Sequence, residues 1–221
     1  MVQNRDIFVV SLLLIGSILF FGFSHVDIYL QDMFFDFETK KWILDSSLQP
    51  YKFIFYNGIK NLLIIIAVLF LIIFIYSKLK KVFINYHRGL LIVVASSILI
   101  PVSVGGLKKI SNMPCPKNEI RYCGIYPEIK VWESYPKEFA CKDKIQCWPA
   151  GHASGGFALM SLFFLFHSKR NKFIALGSAL VIGWSMGLYK MIIGDHYFSH
   201  TFITMLIAWL LVLILSKVIK E

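Results

Sequence analysis

The chain has 221 residues, of which 57% are hydrophobic and only 16% charged, where roughly 45–50% and about 25% are usual for a soluble domain. That composition excludes an ordinary water-soluble globule. The net charge of +10 is not a nucleic-acid footprint either, because the basic residues flank long apolar blocks, as they do at membrane borders.

Six apolar blocks follow one another, covering residues 7–23, 53–76, 90–107, 153–166, 173–189 and 202–219. A stretch of about 18 or more apolar residues is long enough to cross a hydrocarbon core roughly 30 Å thick, so an all-α, six-helix membrane bundle is predicted. The first block has only Arg5 ahead of it and no clear small-residue cleavage pattern, so it reads as a retained helix rather than a removed leader. The fourth is short and contains Gly155 and Gly156; it needs packing, or an extension into the preceding loop, to span.

The segments between blocks alternate in charge. One set holds Arg5, Lys78, Lys80, Lys81, Arg88, Lys169, Arg170, Lys172, Lys217 and Lys220 against only Asp6 and Glu221. The other set, residues 24–60, 108–152 and 190–201, holds thirteen basic and eleven acidic residues. Cytoplasmic loops carry the Lys and Arg excess, so both termini are expected in the cytoplasm, which an even number of crossings satisfies. The whole chain, 1–221, reads as one membrane domain, with outward loops at about 24–52, 108–152 and 191–201.

Cys115, Cys123, Cys141 and Cys147 all lie in one outward segment, at spacings of 8, 18 and 6. In an oxidising compartment they read as one or two disulfides in any of three pairings. A tetrathiolate zinc site is the rival, although no Cys-x-x-Cys pair is present. Phe34, Phe35, Phe37 and Trp42 suit an interfacial helix on the bilayer, and equally a plain packing role.

Three outward stretches carry groups that phosphate chemistry uses. Lys108 and Lys109 end the third block, placed either to pair with phosphate oxygens or to anchor the helix at the headgroups. Gly151 and His152, after Pro149, open the fourth block, where free backbone N–H groups at a helix start favour an anion. His196 and His200 enter the sixth block four residues apart, on one helical face; that spacing serves a hydrogen-bonded pair or a metal.

At these residues the chain resembles the type-2 phosphatidic acid phosphatase superfamily. The family pattern is Lys, six residues, Arg-Pro; then Pro-Ser-Gly-His; then Ser-Arg, five residues, His, three residues, Asp. Here the motifs read Lys108 to Cys115-Pro116, Pro149-Ala150-Gly151-His152, and Tyr189-Lys190 to His196 and His200. Cys115 thus replaces an Arg, Ala150 a Ser, Lys190 an Arg and His200 an Asp.

The resemblance implies a membrane lipid phosphatase in which His196 attacks phosphorus and forms a phosphohistidine while His152 protonates the departing oxygen. Lys108, Lys190 and the backbone at Gly151 would hold the phosphoryl oxygens, and Arg121, Lys109 or Lys117 would make up for the missing Arg. His200, or Asp195, would set the tautomer of His196. No metal and no cofactor are required, and nucleic acid is not an expected partner. The expected substrate is a lipid phosphate in the outer leaflet of a bacterial inner membrane, met from the periplasm, with lipid A or a phospholipid favoured. An isoprenyl diphosphate, a lipid phosphotransferase using the same groups, and a non-catalytic headgroup binder are the alternatives.

Overall fold

The computed structural model describes residues 2–139 and 145–220. Backbone polar groups in hydrocarbon must be satisfied within their own segment, which leaves helices as the form the apolar blocks adopt. Helix α1 (Asn4–Phe23) is followed by the short α2 (Val26–Asp32) and a two-residue hairpin of β1 (Phe35–Asp36) with β2 (Lys41–Trp42). Helix α3 (Gln49–Lys52) passes through a π-helical turn, Phe53–Gly58, into α4 (Ile59–Lys80). Then come α5 (His87–Ile110), α6 (Gly151–Ala158), α7 (Lys169–Ile192) and α8 (Phe198–Val218).

Among the described residues five helices are long and apolar enough to cross a membrane: Asn4–Phe23, Gln49–Lys80, Ile84–Ile110, Lys169–Ile192 and Phe198–Val218. The fourth apolar block forms a shorter element. The eight residues of α6 continue as six residues of 3-10 helix, Leu159–Phe164. A 3-10 segment rises about 2.0 Å per residue against about 1.5 Å in an α-helix, so the two together reach about 24 Å. Stretching the backbone thus recovers part of the length that the sequence lacks.

This short element sits in the middle of the bundle, against α5, α7 and α8. Its Phe157 joins Ile100, Val104, Ala179, Ile207 and Val212 in the main core. A Cβ on Gly156 would come within 2.7 Å of the Cα of Gly183, so the backbones of α6 and α7 touch. Where lipid supplies no hydrophobic drive between helices, such small-residue contacts hold them together. On the opposite side of the bundle Arg88 donates from Nε to the carbonyl of Ile219 at 2.9 Å and also to that of Ser216, closing the C-terminal end of α8 with a cation, as helix termini favour.

The aromatic segment after α1 takes the packing role rather than forming an interfacial helix. Phe35 packs edge to face on Trp42 and Tyr122, which lie tilted against each other, with centroids 4.9–5.4 Å apart. Trp42 also covers Gly194, whose φ of +75° carries the turn out of α7; a Cβ there would strike the indole at 2.3 Å.

Polar contacts lock the loops after α1 and α5 onto that turn. Gln31 Nε2 donates to the carbonyl of Met191 at 2.8 Å, and the amide of Ser199 donates to Asp27 Oδ1 at 2.9 Å. Tyr197 donates its hydroxyl to Glu119 Oε2 at 2.5 Å. Glu119 is 1% exposed and its Oε1 has no hydrogen-bond partner. Burial pushes its carboxyl up from 4.5 to about 8, against the Tyr197 bond and with help from Glu128 and Asp27; burial likewise pushes Asp27 up to about 6. A raised acid keeps a proton that the unfolded chain releases, so its stabilising contribution is complete below the unfolded pKa and is lost as pH rises to the folded value. The thermal midpoint should therefore fall between about pH 4.5 and about pH 8, and Glu119→Gln should remove most of that slope, as melting curves in detergent across the range will show.

Candidate active site

The N-terminus of α6 is the first fixed point. Thr204 Oγ1 accepts from the Ala150 amide at 2.9 Å and donates to the His200 carbonyl at 2.7 Å. This tie binds the start of α6 to the first turn of α8. The amides of the next three residues lie in the first turn, where no intrahelical acceptor exists. Lys108, from the end of α5, crosses above them: its Cδ lies 3.8 Å from where a Cβ on Gly151 would stand. The helix start, its dipole and an ammonium therefore meet at Gly151 and His152.

The second fixed point is the turn between α7 and α8. His196 is 3% exposed and His200 fully buried, and their Nδ1 atoms face each other at 3.3 Å. One of the two nitrogens must donate and the other accept. If His196 donates, its Nε2 carries a free lone pair. The Nε2 of His200 is buried without a hydrogen-bond partner. Burial, then His200, Lys108, Lys190 and His152, hold the His196 imidazole well below its usual pKa, so it rests neutral.

Asp195, next in the chain to His196, does not reach that imidazole's Nδ1 partner position. Its Oδ2 pairs with Lys190 Nζ and its Oδ1 with Lys117 Nζ, each at 2.6 Å. Burial alone would raise the carboxyl, but the two lysines outweigh it and lower the pKa. The backbone repeats the connection, since the Lys117 amide donates to the Gly194 carbonyl at 2.9 Å. His200, not Asp195, is thus the partner of the His196 Nδ1, and Asp195 instead gathers two cations beside His196.

Of the loop cations offered in place of the missing Arg, Lys117 is the one brought here. Arg121 is placed elsewhere. Its Nε and one terminal nitrogen donate to Asp32 at 2.9 and 2.6 Å, beside Tyr122, and a guanidinium with a bidentate carboxylate partner is already satisfied. Lys109 is exposed in the last turn of α5.

Two residues of the α3–α4 region join the site without having been expected. Tyr56, on the π-helical turn, lies with its ring centroid 4.4 Å from that of His152 and 4.4 Å from Lys190 Nζ. Lys60, one turn later, lines with Lys108, Gly151 and His152 a cavity of about 430 Å³. The rest of that cavity is mostly apolar, running between α4, α5 and α6 past Leu63, Ala67, Phe70 and Val93, with Ser97, Ser154 and Ser161 among its walls. Two polar side chains four apart at the outer end of an otherwise apolar block were the only trace of this in the sequence.

A disulfide joins Cys115 to Cys147 with Cα atoms 5.1 Å apart, selecting one link from the three pairings. It ties the loop after α5 to the entry of α6, and the Cys147 amide donates to the Met113 carbonyl at 3.0 Å alongside it. Cys123 is exposed; Cys141 lies outside the described residues.

A family model, the PAP2 superfamily, matches residues 87–221, a span that holds all three motif stretches. The chain belongs to the PAP2 superfamily. Neither a curated protein nor a solved structure matches it. Members of the PAP2 superfamily are phosphatases, and the matched part of this one runs from α5 to the C-terminus. Helices α1 to α4 lie outside that match, so the Tyr56 and Lys60 contributions come from the part of this PAP2 protein that the family model does not reach.

Proposed function

We propose that this PAP2 protein is a membrane lipid-phosphate phosphatase that works through a phosphohistidine on His196, at the outward membrane face. The observation that carries the reading is the shape of the cavity: the lysines Lys60 and Lys108 stand beside His152 at its mouth, and the length between the helices is mostly apolar. A phosphate headgroup with a hydrocarbon chain has the same polarity in the same order.

With its Nδ1–H donated to His200, His196 attacks phosphorus through Nε2. An N–P bond forms, the P–O bond to the lipid breaks, and His152 delivers a proton to the departing oxygen. Lys108, Lys190 and the first-turn amides of α6 hold the three equatorial oxygens as their charge redistributes. Water then attacks the phosphohistidine; His152, now neutral, takes the water's proton, and inorganic phosphate leaves. Lys190 can turn to phosphate because Lys117 remains to neutralise Asp195. The excess of Lys and Arg on the opposite loops supports a cytoplasmic position for both termini and an extracytoplasmic site. A lipid A or phospholipid phosphate is the favoured substrate.

The test is phosphate release by purified protein from a panel of lipid A, phosphatidic acid, phosphatidylglycerol phosphate and isoprenyl diphosphate in mixed micelles. Turnover of at least one lipid, well above that of glycerol phosphate, is expected. Binding without turnover across the panel would leave a headgroup-binding protein and overturn the enzyme.

A further inference from the structure

Tyr56 has no part in the scheme above, yet it touches two of the groups that carry it out. Its ring lies 4.4 Å from the His152 imidazole, tilted by 37°, and 4.4 Å from the Lys190 ammonium. The electron-rich face of a phenol attracts a nearby cation, and an aromatic ring of fixed position restricts the imidazole stacked on it. Neither effect requires the hydroxyl.

The backbone explains how α4 delivers this side chain. Residues Phe53–Gly58 form a π-helical turn at the head of a span that is otherwise α-helical. Such a turn holds one residue more than an α-turn and redirects the side chains around it, and it is found frequently at functional sites. The neighbouring Phe55 stacks on Tyr189, immediately before Lys190, with centroids 5.7 Å apart. The turn is therefore clamped to the end of α7 through Phe55 while Tyr56 faces the site.

The problem that Tyr56 addresses is visible in the ion pairs. Lys190 is drawn to Asp195 at 2.6 Å, and His152 stands at the first turn of a short helix with three lysines acting on it, Lys190, Lys108 and Lys60. A shared ring keeps acid and cation within one small volume in spite of these opposing forces.

We infer that Tyr56 is a positioning residue of the phosphate site, whose ring, pinned beside the Lys190 ammonium, holds the His152 imidazole where the leaving oxygen needs it. The inference rests on the phosphatase reading. It extends the site beyond the three motif stretches to the N-terminal part of the chain.

Its test compares Tyr56→Phe and Tyr56→Leu on two substrates, the best lipid phosphate and p-nitrophenyl phosphate. An aryl leaving group departs with little need of an acid, so misplacement of His152 should be felt mainly on the lipid. Tyr56→Phe should keep kcat for the lipid within about threefold of wild type, whereas Tyr56→Leu should lose about 10- to 100-fold in kcat, more than it changes KM. On the aryl phosphate Tyr56→Leu should lose less than about fivefold, which also reports an intact fold. Equal losses on both substrates would mark Tyr56 as merely structural and overturn the inference, as would Leu matching wild type or Phe falling as far as Leu. If wild type releases no phosphate, or His196→Ala matches wild type, the phosphatase reading itself fails; loss of activity in His196→Ala with no effect of Tyr56→Leu removes only the present inference.

Discussion

Replacing His196 with alanine should lower phosphate release by about 10⁴-fold or more, a loss of about 5.5 kcal/mol of transition-state stabilisation. The scheme has no second route to the N–P bond. His196 is buried at 3% exposure, is held neutral by its surroundings, and has its Nδ1 engaged by His200 at 3.3 Å, which leaves one nitrogen for attack. A rapid-quench experiment with a radiolabelled lipid phosphate adds the chemical identity. Wild type should retain label that is stable to base and released by acid, as a phosphoramidate is, and His196→Ala should retain none. Alanine leaves the buried His200 Nδ1 without its partner, a cost of about 1–3 kcal/mol, so a melting curve in detergent accompanies the assay to show that the variant still folds. Base-stable label persisting in His196→Ala would move the nucleophile elsewhere, and unchanged turnover would remove covalent catalysis at this residue.

Replacing His152 with alanine should cost about 10²- to 10⁴-fold in kcat for a lipid phosphate, the range that a positioned general acid supplies. The reason lies in the leaving group. An alkoxide departing without a proton is a poor leaving group, and Lys60, Lys108 and Lys190 around His152 stabilise charge without being placed to replace that proton transfer. Activity toward an aryl phosphate should fall far less, so the ratio of the two losses separates acid catalysis from simple phosphate binding. Formation of the phosphohistidine should become the slow step, with little label accumulating on the lipid substrate. Equal losses on aryl and alkyl substrates would assign His152 to binding alone.

Much of this molecule was readable from residue order alone. Hydropathy needs no tertiary information, because each apolar block must bury its own backbone polar groups wherever it lies in the membrane. Five of the six blocks accordingly appear as helices of spanning length. The three motif stretches were equally legible, since each is local: a lysine ending α5, a Gly-His pair starting α6, two histidines entering α8. Their membership of one family follows from order and spacing, which the family match over residues 87–221 bears out.

What residue order did not reveal were the partners. Cys115 bonding Cys147, Arg121 turning to Asp32, Asp195 collecting Lys117 and Lys190, and Tyr56 arriving beside His152 are all choices among several chemically equivalent candidates. A thiol, an ammonium or a guanidinium carries no label naming its counterpart, so the choice is made by distance, and distance is set by how the helices pack. The fourth block shows the same division. Its composition marked it as apolar and short, but only the Gly156–Gly183 contact with α7 and the lengthened 3-10 turn after α6 determined how so few residues sit at the centre of the bundle. Sequence alone marked which blocks are apolar enough to span a membrane and which stretches match the family motifs; packing decided which side chains meet.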